Sequence, residues 1–438
     1  MKVSWQRSAR VSRSRRKYGP QVSLDGERLT KSGDLRSAQA AGSGDPRRAH
    51  ACPADGRWLM ADGRDPVSEV EVSWDNSHQL SAIRHRPEER QRRFAWQLLL
   101  VCCVGLLGID NKLSRADERT EREKQIDVAI SKALGHLAKR QLPSGAWALD
   151  QFGEQTSSTS LAVMAFLAAG HVPGEGLYDL QIQRGIRWVL DQQQANGMLI
   201  GARGHGPMYS HGISTLMLAE VAGMTDDALS ERCRDALKKA VRLILSAQAV
   251  RKDRGSQGGW RYHPTSNDSD LSVTGWQLLA LRAAKNLGCD VPAEQIDEAV
   301  EYVKRCSFRN RGFGYQPNSG SSPTRAGTGI LCLEICGVHH SPETLGAADY
   351  LLQDPLRADQ EWFFYGVYYC TVGMYQVGGK PWEQSKGHLI PLLLNLQAED
   401  GSWSGRQGQE RGLGTVYATS LAVLALSVEY QYLPIYQR

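Results

Sequence analysis

A seven-residue phrase recurs along the chain: a glutamine, a glycine four residues on, and an aromatic residue two further. It is complete as Gln141-Leu-Pro-Ser-Gly145-Ala-Trp147 and again as Gln397-Ala-Glu-Asp-Gly401-Ser-Trp403. Partial copies lie between them. Gln193 to Gly197 keeps the spacing and puts Leu199 in the aromatic place. Gly258-Gly259-Trp260 follows Gln248 at a longer distance, and Gly312-Phe313-Gly314-Tyr315 exchanges the aromatic. A phrase repeated with decaying middle copies predicts a fold built from one structural unit used several times.

The pattern around the phrase says what that unit is. From about residue 120 onward apolar residues recur at helical spacing, in alternating styles. One style is amphipathic, expected at 124–141, 181–195, 232–248, 293–307, 343–353 and 382–397. The other is apolar on all sides and rich in Ala, Gly, Ser and Thr, expected at 157–169, 211–223, 271–287, 325–337, 364–377 and 415–430. A half-exposed helix carries the first pattern and a helix buried all round the second. The expectation is an all-α fold: an α/α toroid of six helix pairs over residues 120–438, with an outer and an inner ring of six. The glutamine then falls at the end of an outer helix, where carbonyls lack partners. The glycine suits a left-handed helix-ending turn, and the aromatic packs towards the next pair.

The chain before residue 120 reads differently. Residues 1–93 hold 19 Lys/Arg against 12 Asp/Glu, so this stretch carries +7 of a chain whose net charge is +5, and the remaining 345 residues carry about −2. A nucleic-acid surface should lie on the folded body, so nucleic acid is not an expected partner. Residues 1–93 lack lasting periodicity and are expected to be disordered. Arg92-Arg93, the apolar run Phe94 to Ile109 and the small-x-small triplet Ser114-Arg115-Ala116 read as a signal peptide or short anchor over 94–116. Export to the periplasm or outside is the corresponding expectation, with a translation start nearer Met60. Nine cysteines without any C-x-x-C pair give no disulfide framework. Cys332 and Cys336 share a helical face, read as buried small residues.

The repeated phrase between alternating helices resembles the repeat of squalene and hopene cyclases and of protein prenyltransferase β subunits, over roughly residues 120–438. Gly258-Gly-Trp-Arg-Tyr262, Ser272-Val-Thr-Gly-Trp-Gln277 and Met208-Tyr-Ser-His-Gly212 more narrowly resemble secreted prenyltransferase/squalene-oxidase-repeat proteins of planctomycete-type bacteria. The cyclases start with a D-x-D-D-T phrase whose middle carboxyl must be protonated and aimed at an alkene. Asp268-Ser-Asp270-Leu271-Ser272 keeps half of it, which puts Asp270 on the proton-donating position and Asp268 beside it. Helix capping is the competing role for both. Protein prenyltransferases hold zinc through Asp-x-Cys and a later His; here Ser272 and Gly366 stand in those places, leaving too few ligands. A thioester would need Cys where Phe152-Gly-Glu-Gln155 begins. The residues imply no cofactor and no resident metal.

In such a toroid the starts of the inner helices gather at one mouth. That topology collects Glu154, Ser157, Tyr209, His211, Asp268, Asp270, Trp276, Arg325, Trp362, Tyr365, Tyr369, Glu410 and Tyr417. His211 is the candidate acid or base near neutral pH, with Asp270 and Asp268. Tyr209, Trp276, Arg325, Trp362, Tyr365, Tyr369 and Tyr417 are the candidate ligand-binding residues. Three readings stand open on the residues alone: a terpene-cyclase-like or degenerate-cyclase toroid binding an isoprenoid or lipid, a non-catalytic scaffold for a protein or peptide, and a carbohydrate-active α/α barrel using two facing carboxylates.

Overall fold

The computed structural model describes residues 120–201, 206–225, 227–309 and 311–437. The expected tail over 1–93, the segment over 94–116 and His205 lie outside the described residues. The rest follows the alternating pattern. The outer helices are α1 (Glu121–Arg140), α3 (Asp179–Asp191), α5 (Asp227–Gln248), α7 (Ala293–Arg305), α9 (Pro342–Gln353) and α11 (Gly379–Leu396). The inner helices are α2 (Thr156–Ala168), α4 (Pro207–Val221), α6 (Leu271–Asn286), α8 (Pro323–Ile335), α10 (Phe363–Val377) and α12 (Gly414–Leu426). A two-stranded antiparallel ribbon, β1 (Ala148–Leu149) and β2 (Gly153–Glu154), precedes α2.

Each inner helix packs on the next, from α2 through α4, α6, α8, α10 and α12, and α12 packs back on α2. The ring is therefore closed. Helix α1 opens with a capping box between Thr120 and Glu123 and buries Ile126, Ala129, Ile130, Ala133, Leu134 and Leu137 along one stripe. In α2 the burial runs all round, through Thr156, Ser158, Thr159, Ser160 and nearly every residue to Ala168. Small side chains there let neighbouring inner helices approach, and buried hydroxyls satisfy one another across the seam, as Ser160 does with Ser214 at 3.1 Å.

The repeated phrase is the fastener between pairs. Gln141 Nε2 donates to Gly145 O in its own turn at 2.9 Å and to Gln181 O of α3 at 2.8 Å. Gln193 reaches Ala236 O of α5 in the same way, Gln248 reaches Gln295 O of α7, and Gln397 reaches Ala129 O of α1. The last bond joins the sixth helix pair to the first. The glycine meets the same outer helix three residues further on. Gly145 has φ +98° and a Cβ there would lie 2.8 Å from Arg184 O, so both conformation and close approach demand glycine. The tryptophan ring is buried, and Trp147 Nε1 donates back to Leu137 O at 2.7 Å. Its backbone N–H donates to Thr159 Oγ1 on the following inner helix at 3.0 Å, and Trp260 and Trp403 repeat this with Thr274 and Thr419.

At the inner-helix C-termini the last residues fold across the ring. Leu433, Ile435 and Tyr436 are buried. Ile435 N–H donates to Glu220 Oε2 at 3.2 Å and Gln376 Nε2 to Tyr436 O at 3.0 Å, while the Tyr436 and Tyr368 hydroxyls meet. Burial pushes the Glu220 carboxyl up to about 8. This end of the toroid is covered.

Candidate functional site

The other end is built by the N-termini of the inner helices and the loops that lead into them. Asp270 is the N-cap of α6, and its Oδ1 accepts from Val273 N–H at 2.9 Å. Its backbone pairs with Trp260, and the next residue, Leu271, donates to Tyr315 O at 2.9 Å. Two consecutive repeat loops are thereby laced to the cap. Asp270 is 0% exposed. Its Oδ2 lies 3.6 Å from Arg261 Nε, which is equally far from Asp268 Oδ2. Burial raises the Asp270 carboxyl to about 6, against the opposing pull of the Val273 N–H and the Arg261 charge.

Arg261 is sandwiched by tyrosines. Its guanidinium carbon sits 4.6 Å from the Tyr262 ring centroid and 5.3 Å from that of Tyr315, and the two hydroxyls meet. Tyr209 packs beside Tyr262, with ring centroids 5.9 Å apart. Tyr365, in the first turn of α10, bonds Thr328 Oγ1 at 2.9 Å through its hydroxyl and borders Asp270. Burial and the neighbouring negative groups raise the hydroxyls of Tyr209, Tyr315, Tyr365 and Tyr417 above the ordinary phenol range. They stay protonated and act as hydrogen-bond donors at any physiological pH.

A second buried carboxyl stands on the other side of Tyr365. Glu410, in a short 3-10 helix over Gly408–Leu413, is 1% exposed. Its Oε1 accepts from Phe364 N–H at 3.0 Å and Tyr365 N–H at 3.3 Å, so it caps α10, whose own N-cap residue Trp362 offers no side-chain cap. Its Oε2 is buried with no protein partner. Burial raises this carboxyl to about 7, against those N–H groups. Tyr417 adjoins both Glu410 and Tyr365.

The structure brings Tyr209, Asp268, Asp270, Tyr365, Glu410 and Tyr417 to this mouth, with Arg325 near Tyr365 and Tyr315. It places others elsewhere. His211 does not open its helix, because α4 starts at Pro207. The imidazole is fully buried, accepts from Leu199 N–H at Nδ1 (3.1 Å) and meets Ala240 O at Nε2 (3.2 Å). It takes the backbone-clamping place that Thr159, Thr274 and Thr419 hold in other repeats. Burial lowers it to about 4, so it is neutral with both nitrogens engaged. Trp276 is 2% exposed, stacked on Tyr368 and edge-on to Tyr369 across the ring. These rings fill the interior rather than line an opening. Trp362 is 36% exposed with φ +58°, outside the aromatic wall. Glu154 is exposed and bonded by Ser144 Oγ at 3.0 Å. Cys332 is buried in α8, and His339 and the His340 N–H both engage Glu334.

Arg261, Tyr262 and Tyr315 escape the topological collection, which counts only inner-helix starts. A signal for the tyrosines exists. Tyr262 and Tyr315 each lie two residues past the aromatic place of their repeat, where the other copies have Leu149, Gly201 and Gly405.

Two stretches, 152–360 and 358–435, match the prenyltransferase alpha-alpha toroid domain. The chain belongs to this family. Among curated proteins no sequence match is found. Solved structures of the same fold include a glycosidase, 12% identical, covering 73% of this chain and 100% of its own with a TM-score of 0.50. An α-1,6-mannanase of Salegentibacter, an inactive variant bound to α-1,6-mannotriose, is 8% identical over 69% of this chain and 98% of its own, with a TM-score of 0.51. A type II terpene cyclase from Scytonema is 13% identical over 71% of this chain and 100% of its own, with a TM-score of 0.48. Identities at this level speak for the toroid alone.

Proposed function

We propose that the inner-helix mouth binds a polyhydroxylated ligand and performs acid–base chemistry on it with Glu410 and Asp270. The observation that carries this reading is the pair itself. Two buried carboxyls cap the starts of two inner helices, α6 and α10, each with one oxygen held by backbone N–H, and both are raised towards neutrality. Environments that differ around two carboxyls divide their roles. Arg261 stands beside Asp270 and favours its ionised form, whereas no cation pairs with Glu410 among the described residues. Glu410 is then the proton donor and Asp270 the acceptor, the reverse of the role that the cyclase resemblance gives Asp270.

The walls favour a polar ligand. Tyrosine hydroxyls and two guanidinium groups supply donors over aromatic faces, which suits a sugar ring. The floor argues the same way. Trp276 lies six residues into α6, about 9 Å below the cap at the usual helical rise, and its stack on Tyr368 closes the interior there. A flexible polyprenoid needs a deep apolar chamber, whereas tyrosine hydroxyls and guanidinium groups gather around Asp270. The cyclase-like reading keeps one support, the buried and partly protonated Asp270. The scaffold reading would leave helix capping as the one role of the two carboxyls, a role that an uncharged Asn or Ser fills without the cost of burying an acid. Export directed by residues 94–116, and partnership with a lipid or another protein, stay as proposals beside this one. Among the described residues no helix is long and apolar enough to cross a membrane.

The test is a panel of neutral oligosaccharides and of polyprenols offered to the parent protein, to Glu410→Gln and to Asp270→Asn. Saturable oligosaccharide binding by the parent, with turnover lost in both variants, is expected. Turnover of a polyprenol that survives Glu410→Gln would return the function to a cyclase-type acid at Asp270.

A further inference from the structure

Arg325 is the third residue of α8, a position where the helix dipole favours acids and disfavours a cation. Its side chain is half-buried, and desolvation lowers its basicity. The groups that face it are the hydroxyls of Tyr365, Tyr350 and Tyr315, not a carboxylate. Its Nε is buried with no protein partner, and among the described residues its side chain makes one hydrogen bond, a long 3.5 Å contact from Nη2 to Gly320 O. Among the described residues no carboxylate pairs with it. Across Tyr315 stands the other mouth guanidinium, Arg261, which has two acids beside it and still keeps a buried Nη1 without a partner. A desolvated guanidinium held over a helix N-terminus and left unpaired costs stability unless something anionic arrives.

We infer that the ligand of this mouth carries an anionic group, a carboxylate or a sulfate ester, and that Arg325 receives it with its unpartnered nitrogens. The inference rests on the polyhydroxylated-ligand reading and sharpens it to acidic sugars, such as uronate or sulfated glycans. A guanidinium offers a planar fork that matches two oxygens of either group. Tyr315 and Tyr365 supply neutral hydroxyls or ring faces on the inner side of Arg325, and the Tyr350 hydroxyl is turned to Asp354 at 3.4 Å. The positive end of α8 adds to the attraction for an anion. Recognition of the charge is thus placed at α8, apart from the proton-transfer pair at α6 and α10.

The experiment titrates the full chain with sodium sulfate, sodium glucuronate and glucose at an ionic strength held constant with sodium chloride. Tyrosine fluorescence and the unfolding midpoint are the readouts. Sulfate and glucuronate are expected to saturate, glucuronate at the lower concentration because its hydroxyls also meet the tyrosines. Arg325→Gln should raise the half-saturating concentration of both anions by about 10- to 100-fold, the factor that one charge-assisted hydrogen bond supplies. Arg325→Lys keeps the charge without the fork and should weaken binding several-fold, which serves if the glutamine variant folds poorly. A response that follows ionic strength alone, or that is the same in Arg325→Gln, overturns the assignment. Glucose and glucuronate saturating alike, with no effect of Arg325→Gln, would remove the anion and keep the sugar. Sulfate saturating at Arg325 with neither sugar bound beyond it would keep the anion site and remove the polyhydroxylated reading.

Discussion

Asp270→Asn should make the protein more stable at neutral pH while disabling the site. The wild-type carboxyl is 0% exposed, and burial raises it from an ordinary 3.8 to about 6. The sign follows from proton binding. Between those two values the folded state holds a proton that the unfolded chain has lost. The stabilisation is therefore complete below pH 3.8 and disappears as pH rises through about 6. A shift of roughly 2 units corresponds to about 3 kcal/mol. Asparagine keeps the side-chain oxygen that caps Val273 N–H and never ionises, so it escapes the penalty. Losing the 3.6 Å approach of Arg261 offsets part of the gain. The expected result is near-equal stability of parent and variant at pH 4, with the variant ahead by up to about 3 kcal/mol at pH 7.5. Urea unfolding at a series of pH values measures it. Glu220 and Glu410 titrate in both proteins, so the difference curve isolates residue 270. A variant that is less stable than the parent at pH 7.5, or a difference curve flat from pH 4 to 7, would refute the reasoning.

Two further outcomes concern the ring itself. Gln397→Ala removes the bonds to Ala129 O and Gly401 O that join the last unit to the first, and should cost about 2 kcal/mol at roughly 1 kcal/mol per bond. Hydrogen exchange should then quicken in α1 and α11 before the other outer helices; uniform exchange across the ring would count against a closing clamp. His211→Thr restores the residue type used by the other repeats and should remove an acid-labile element. The imidazole is lowered to about 4, so its contribution is present above pH 6.5 and fades as pH falls between those values. The threonine variant should lose that part of the pH dependence, read from midpoints at pH 4.5 and 7.5. A variant that also abolished ligand turnover at full stability would put His211 back in the chemistry.

The fold was legible because the repeat must satisfy the same geometry at every unit. Gln141, Gly145 and Trp147 each serve a backbone or packing need at the joint, and Gln397, Gly401 and Trp403 meet it again. The alternation of half-buried and fully buried helices left its mark in composition, and helix limits came within a few residues. The site was legible only in part. Topology gathers whatever stands at an inner-helix start, so Asp270, Tyr365, Glu410 and Tyr417 were within reach. It does not tell which way a side chain faces one turn later. Trp276 and Tyr369 turn to the interior, and His211 turns to Leu199 N–H because α4 begins four residues ahead of it. Arg261 sits on a loop, outside the helical pattern that the reading relied on. Its position is fixed by backbone pairing of Trp260 with Asp270, which no spacing in the chain announces.

The central claim is that Asp270 and Glu410 form one acid–base pair at the mouth, poised near neutrality. Carboxyl carbon-13 resonances of the two groups, assigned with Asp270→Asn and Glu410→Gln and followed against pH, test it most directly. The account predicts midpoints near 6 for Asp270 and near 7 for Glu410. Midpoints near 4 for both would contradict it.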